Sequence, residues 1–60
     1  MDFVKGERVL IRDRPLGKSL GIVGIIVGKV NQEHYNVLIE SGRFEGDTKK
    51  YKYWNLTFIS

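Results

Sequence analysis

The stretch Gly21-Ile22-Val23-Gly24-Ile25-Ile26-Val27-Gly28-Lys29-Val30 decides the fold class of this 60-residue chain. β-Branched residues lose side-chain freedom in a helix and pack well on a pleated sheet. The three glycines also oppose a helix. We therefore predict one long strand over 21–30. Its two faces would consist of Val23, Ile25 and Val27 on one side and Ile22, Ile26 and Val30 on the other.

A strand that is apolar on both faces must be covered on both. Gly24 and Gly28 are natural positions for a bend or bulge that lets one strand serve two halves of a sheet. Polar turns and alternating apolar residues on either side predict more short strands. We expect them over 7–13, 35–40, 48–53 and 56–59, with loops over 12–20 and 41–47 and turns at 31–33 and 54–55.

Five short strands without a long helix favour closure into a small barrel, because closure covers both faces and removes exposed edges. The order of strand, long loop, long hairpin, short strand, helical turn and final strand is that of an SH3-like barrel. We predict an all-β fold, a five-stranded SH3-like small barrel, as one domain over 1–60.

The chain resembles KOW-type SH3-like domains in several short motifs. These are Lys5-Gly6-Glu7-Arg8-Val9-Leu10-Ile11, the loop Pro15-Leu16-Gly17-Lys18, the strand start Gly21-Ile22-Val23-Gly24-Ile25-Ile26, Ser41-Gly42-Arg43, and an aromatic-rich run that closes at 56–59. The resemblance implies nucleic-acid binding within the transcription or translation machinery. Gly6-x-x-Val9-x-Ile11, Arg14-Pro15, Val23-Gly24 and Tyr35-x-Val37 are also similar to the small SH3-like subunit of photosystem I. Tudor-like and phage-encoded barrels share the same skeleton.

Composition excludes several classes of protein. The chain has no cysteine and one histidine, which excludes disulfides, cysteine-based zinc sites and multi-histidine metal sites. We expect no metal and no cofactor. The longest apolar run, about eight residues, is far short of the ~20 that a transmembrane helix needs, and no secretory signal is visible. We expect a cytoplasmic protein without membrane insertion. The net charge of +3 permits an acidic partner.

Lysines and aromatic residues alternate in Thr48-Lys49-Lys50-Tyr51-Lys52-Tyr53-Trp54. In a strand, Lys50, Lys52 and Trp54 would share one face, and Lys49, Tyr51 and Tyr53 the other. Lysines can neutralise phosphates, and Tyr or Trp can stack on unpaired bases. The structural alternative is that some of these aromatics are core and that the lysines protect an edge strand from aggregation.

Two loops add candidates for the same surface. Arg12, Arg14 and Lys18 in the first loop, with Arg43, would complete a basic patch, or would simply be solvated. Phe44 is either a contact for a partner or a lid on the barrel end. The candidate binding residues are Arg12, Arg14, Lys18, Arg43, Phe44, Lys49, Lys50, Tyr51, Lys52, Tyr53 and Trp54.

No catalytic residue is predicted. His34 has no neighbour that would make a triad, so we interpret it as a surface or hairpin histidine. We predict a non-enzymatic binding module that contacts RNA, or less favourably DNA. The alternative is a small protein-interaction module, either an accessory subunit or a phage-encoded modulator, that docks on an acidic surface of a larger protein complex. If the strand over 21–30 keeps an uncovered face, homodimerisation is a further possibility.

Overall fold

The computed structural model describes residues 3–12 and 22–59. Apart from one turn of 3-10 helix, the regular structure in these ranges is β-strand, which confirms the all-β prediction. The elements are β1 (Arg8–Ile11), β2 (Ile22–Lys29), β3 (His34–Ile39), β4 (Thr48–Lys52), the 3-10 turn (Tyr53–Asn55) and β5 (Leu56–Phe58).

The five strands form one antiparallel sheet in the order β4-β3-β2-β1-β5. The predicted hairpin of β2 and β3 is confirmed. Within residues 3–12 and 22–59, β4 and β5 are the two edges and are not paired with each other, so the sheet is not closed into a barrel. The sheet does curl, as the dimensions of the described chain show. It measures 24 × 23 × 21 Å, whereas a layer of flat sheet is only about 10 Å deep.

The core lies inside the curl and draws on every strand except β4. Its fully buried side chains alternate along the strands, as half-buried strands require. The N-terminal segment closes one end: the Phe3 ring meets the Tyr35 ring edge-on at 5.4 Å, and the Phe3 amide donates to the Tyr35 hydroxyl at 3.3 Å. The core consists of Phe3, Val9, Ile11, Ile26, Tyr35, Val37, Ile39 and Leu56.

β2 departs from its prediction in two ways. It ends at Lys29 rather than Val30, and its register with β3 shifts between Ile26 and Gly28, which leaves Val27 as the extra residue of a bulge. The expectation that both faces are covered is wrong at this end, since Val27 is 40% and Val30 45% exposed. The physical reason is that the bulge and the strand's end turn both side chains away from the core.

Gly24 lies where β1, β2 and β3 come closest. A Cβ atom there would collide with the Val37 side chain and lie 3.1 Å from the Leu38 carbonyl oxygen. Only glycine therefore fits this point of the sheet. The prediction placed a bend or bulge at Gly24 or Gly28; the bulge lies beside Gly28, whereas Gly24 is a site of close approach.

Several predicted boundaries also shift: β1 begins at Arg8 rather than at residue 7, β3 is His34–Ile39 rather than 35–40, and β5 ends at Phe58 rather than at residue 59. Two further shifts lie closer to the candidate site. β1 ends at Ile11 rather than at residue 13, and Tyr53 belongs to the 3-10 turn rather than to β4. The turn forms because the Leu56 amide donates to the Tyr53 carbonyl. No helix within residues 3–12 and 22–59 is long and apolar enough to cross a bilayer.

Candidate functional site

β4 presents its lysines to solvent and its tyrosine to the core. Thr48, Lys50 and Lys52 are exposed, whereas Lys49 and Tyr51 are half-buried, as alternation along a strand requires. Tyr51 pairs across the sheet with the buried Tyr35 and packs against the core. The burial of Tyr51 therefore supports the alternative that this aromatic side chain belongs to the core.

Trp54 lies in the 3-10 turn that follows β4, and its indole is 53% exposed. The Tyr53 ring, itself 40% exposed, meets it edge-on with centroids 4.9 Å apart. The Lys52 Nζ lies over the indole, 5.2 Å from its centroid. Trp54 is thus a surface aromatic flanked by a second ring and a cation, and does not belong to the core.

A shallow open depression of about 350 Å³ runs beside this indole. Its volume is at the lower end of the range for small-molecule sites, about 300–1,000 Å³. Its lining holds two lysines and, among the described residues, no carboxylate, so its charge favours an anion. We call it the Trp54 depression; it is lined by His34, Lys50, Tyr51, Lys52, Trp54 and Asn55.

Main-chain hydrogen bonds hold the turn that carries Trp54 in place from both sides. The Tyr53 amide donates to the Glu33 carbonyl at 2.8 Å, which ties the turn to the β2–β3 connection. The Arg12 amide donates to the Asn55 carbonyl at 2.7 Å, which ties it to the end of β1. The indole is therefore exposed on a fixed piece of backbone, and such preorganisation lowers the entropic cost of binding.

His34 enters the depression from β3, where it is the cross-strand partner of Lys52. Its imidazole is half-buried, and its Nδ1 lies 3.0 Å from the Asn31 side-chain oxygen. The same oxygen accepts from the Glu33 and His34 amides at 2.8 and 2.9 Å. The polar turn predicted at 31–33 is therefore also the support of a histidine in the site.

A second group of candidates lies apart from the depression, in the β3–β4 loop and at the start of β4. The Lys49 Nζ stands 3.6 Å from the centroid of the Phe44 ring, and the Arg43 guanidinium carbon lies 6.0 Å from it. Phe44 is 41% exposed, and its ring lies against these two cations. We call Arg43, Phe44 and Lys49 the Phe44 cluster.

The structure thus divides the predicted site residues. It brings Lys50, Tyr51, Lys52 and Trp54 together, with the Tyr53 ring in an edge-on contact with the indole. Arg43, Phe44 and Lys49 form the separate cluster. Arg12 is exposed near the turn, and its guanidinium donates to the Thr57 hydroxyl at 3.4 Å. Arg14 and Lys18 lie outside the described residues.

Sequence reasoning missed His34 and Asn55 as members of the depression. The signal for His34 was available: a turn at 31–33 followed by pairing of β3 with β4 places it opposite the end of the lysine-rich strand. Asn55 had no such signal, because its position depends on the 3-10 turn.

The described residues contain no group of three or more His, Cys, Asp or Glu side chains placed to hold a metal ion. Comparisons of the chain with protein-family models, with curated proteins and with solved structures found no match.

Proposed function

We propose that this chain is a non-enzymatic binding module that contacts single-stranded RNA through the Trp54 depression, on an SH3-like, KOW-type scaffold. The sheet order β4-β3-β2-β1-β5, its curl, and the 3-10 turn between β4 and β5 support the SH3-like scaffold. The resemblance of the 5–11 and 21–26 motifs to KOW domains adds the expectation of a role in transcription or translation.

The observation that carries the proposal is an exposed indole on an anchored turn, with the Lys52 ammonium group over its ring. Trp54 is 53% exposed on an anchored turn, so its ring is available to a ligand. Lys50 and Lys52 line the same depression. A stacking surface with adjacent lysines is the arrangement that binds single-stranded nucleic acid, since bases stack and phosphates pair with the ammonium groups.

The position of Lys52 over the indole is compatible with stacking of a base. An exposed cation–π contact contributes about 0.5–1 kcal/mol, whereas base–aromatic stacking contributes about 1–3 kcal/mol. A base can therefore displace the ammonium group from the ring. The lysine side chain is long, so its Nζ then remains available for the phosphate of the same nucleotide.

The experiment is a titration of tryptophan fluorescence with a short single-stranded oligoribonucleotide at two salt concentrations. Because Trp54 is the one tryptophan of the chain, any quenching reports on this site. We expect quenching that weakens steeply with salt, and weaker quenching by a duplex of the same sequence, whose bases are already stacked. Absence of quenching at low salt would contradict the proposal.

A second candidate, association with protein, is favoured by the uncovered end of β2. Val27, near the end of β2, and Val30, just beyond it, are both exposed. An interaction module, or a homodimer joined through this end, would cover them. Light scattering over a range of protein concentrations tests the homodimer, and a constant monomer mass would exclude it.

A further inference from the structure

The protonation pattern of the His34 ring follows from the hydrogen bonds of Asn31. The Asn31 oxygen receives two main-chain N–H groups, from Glu33 and His34. Only the oxygen of a side-chain amide can accept them, so the orientation of that amide is settled by the backbone. The atom 3.0 Å from the imidazole Nδ1 is therefore an acceptor, and Nδ1 carries a hydrogen.

The neutral ring consequently has its lone pair on Nε2. This nitrogen has no hydrogen-bond partner in the described part of the chain. The Asn31 oxygen accepts from the Glu33 amide, the His34 amide and the His34 Nδ1. These three hydrogen bonds fix both the backbone and the ring of His34. His34 thus presents an oriented acceptor, supported in the way that a neighbouring hydrogen bond orients a functional histidine.

The charged groups around this acceptor have the opposite hydrogen-bonding character. The Tyr51 hydroxyl and the Asn55 amide, which also line the depression, can both donate and accept. The Lys50 and Lys52 ammonium groups donate and cannot accept, and the Trp54 indole nitrogen also only donates. These donors suit any phosphate and carry no information about the rest of the ligand. An oriented acceptor among them favours a ligand that adds a hydrogen-bond donor to its phosphates.

On the basis of the function proposed above, we propose that His34 is the specificity-determining residue of the Trp54 depression. In this proposal, Nε2 accepts a hydrogen bond from a donor of the nucleotide bound at Trp54, either the ribose 2′-hydroxyl or an N–H of the base. The lysines then determine affinity, and His34 determines which nucleotide is preferred. Asn31 acts as a positioning residue for the ring.

The test measures the anisotropy of three labelled oligomers of about eight nucleotides, a length within the range for small single-strand binding domains. The oligomers are oligouridylate, its 2′-deoxy form and its N3-methyl form, so that each of the last two lacks one donor. Wild-type protein should bind one of the two depleted oligomers about fivefold more weakly than oligouridylate, as expected for one hydrogen bond between uncharged groups.

Two variants separate the role of His34 from general binding. His34→Phe keeps a planar ring but lacks the acceptor, and should bring the affinities for the three oligomers to within about twofold of each other. Lys50→Gln should weaken all three by the same factor and keep their ratios. Weaker binding of the 2′-deoxy form identifies the ribose as the donor, and weaker binding of the N3-methyl form identifies the base.

The failure of this inference differs from the failure of the proposed function. If wild-type protein binds none of the oligomers, the proposed function fails and this inference with it. If it binds all three equally, or if His34→Phe keeps the wild-type ratios, only the role of His34 is overturned. Nitrogen NMR of the wild-type imidazole gives an answer that needs no variant, since the chain has one histidine. It should show hydrogen on Nδ1, and an Nε2 resonance that oligouridylate shifts and the donor-depleted oligomer does not.

Discussion

Neutralising Lys50 and Lys52 together, as Lys50→Gln/Lys52→Gln, isolates the electrostatic part of the proposed interface. Both side chains are exposed, and the ion pair found in residues 3–12 and 22–59 joins Arg8 to Glu40, away from β4. The double change therefore breaks no ion pair there. It removes the contact of Lys52 with the indole, which contributes about 0.5–1 kcal/mol at an exposed site, so the fold should persist.

The expected loss of affinity follows from counterion release. Each phosphate contact contributes about 0.7 to the slope of log affinity against log salt for a single strand, so two lost contacts lower the slope by about 1.4. Between 50 and 200 mM salt, this changes the ratio of wild-type to variant affinity by about sevenfold. With equal affinities at 1 M salt as the reference, the variant should bind about 25-fold more weakly than wild type at 100 mM.

The assay is fluorescence anisotropy of a labelled single-stranded RNA across that salt range, with melting curves of each protein. The matched control is Lys5→Gln/Lys29→Gln, which removes the same charge from exposed positions outside the Trp54 depression. It should lower the slope much less. Equal slopes for wild type and the Lys50/Lys52 variant, or an equal drop in the control, would refute the reasoning.

Three further changes test the other parts of the structure. Trp54→Ala should weaken RNA binding by about 1–3 kcal/mol, or roughly 5- to 150-fold, measured by anisotropy; unchanged affinity would show that the indole does not stack. Phe44→Ala should leave that affinity within about twofold of wild type, since the Phe44 cluster lies outside the depression; a tenfold loss would move the interface to the β3–β4 loop. Gly24→Ala should lower the stability by about 1–3 kcal/mol through overpacking, while Gly28→Ala, where a Cβ meets no atom within 4 Å, should cost less; equal melting temperatures would contradict the close approach.

The strands were predictable because alternation reports directly on a half-buried sheet. Val9 and Ile11, and Tyr35, Val37 and Ile39, recur at every second position, and all five are buried. The hairpin of β2 and β3 followed from the polar residues between two such runs. These features depend on neighbours in the sequence, which is why they can be predicted from it.

The bulge and the 3-10 turn depend on pairing between distant residues and were therefore harder to predict from the sequence. The glycines at 24 and 28 offered two possible positions for the bulge. The register of β2 against β3 decides between them and makes Val27 the extra residue. Likewise, the alternation led us to extend the predicted β4 to Tyr53, because a three-residue turn is too short to produce a periodic pattern in the sequence. The hydrogen bond from Tyr53 to Glu33 anchors that turn across twenty positions of the chain.

The sequence predicted most of the residues that form the site but not how they are grouped in the fold. The lysine–aromatic alternation located Lys50, Lys52 and Trp54, which do meet in one depression. The same alternation placed Lys49 on the other face of β4, and the structure shows it half-buried and in contact with Phe44. The single list of candidate residues joined these two to the others, whereas the structure keeps them in a separate cluster. The contribution of His34 depends on its pairing with Lys52, a contact that only the folded sheet creates.

The turn that carries Trp54 joins the two edge strands, and its hydrogen bonds reach both Glu33 and Arg12. The Trp54 depression therefore exists only when both ends of the sheet have been drawn together, and an unfolded chain has nothing equivalent to offer a ligand. Binding and folding are then thermodynamically linked. A ligand present at one hundred times its dissociation constant would add about 2.7 kcal/mol to the free energy of unfolding. For a chain this small, a ligand bound in the Trp54 depression would therefore stabilise the whole fold.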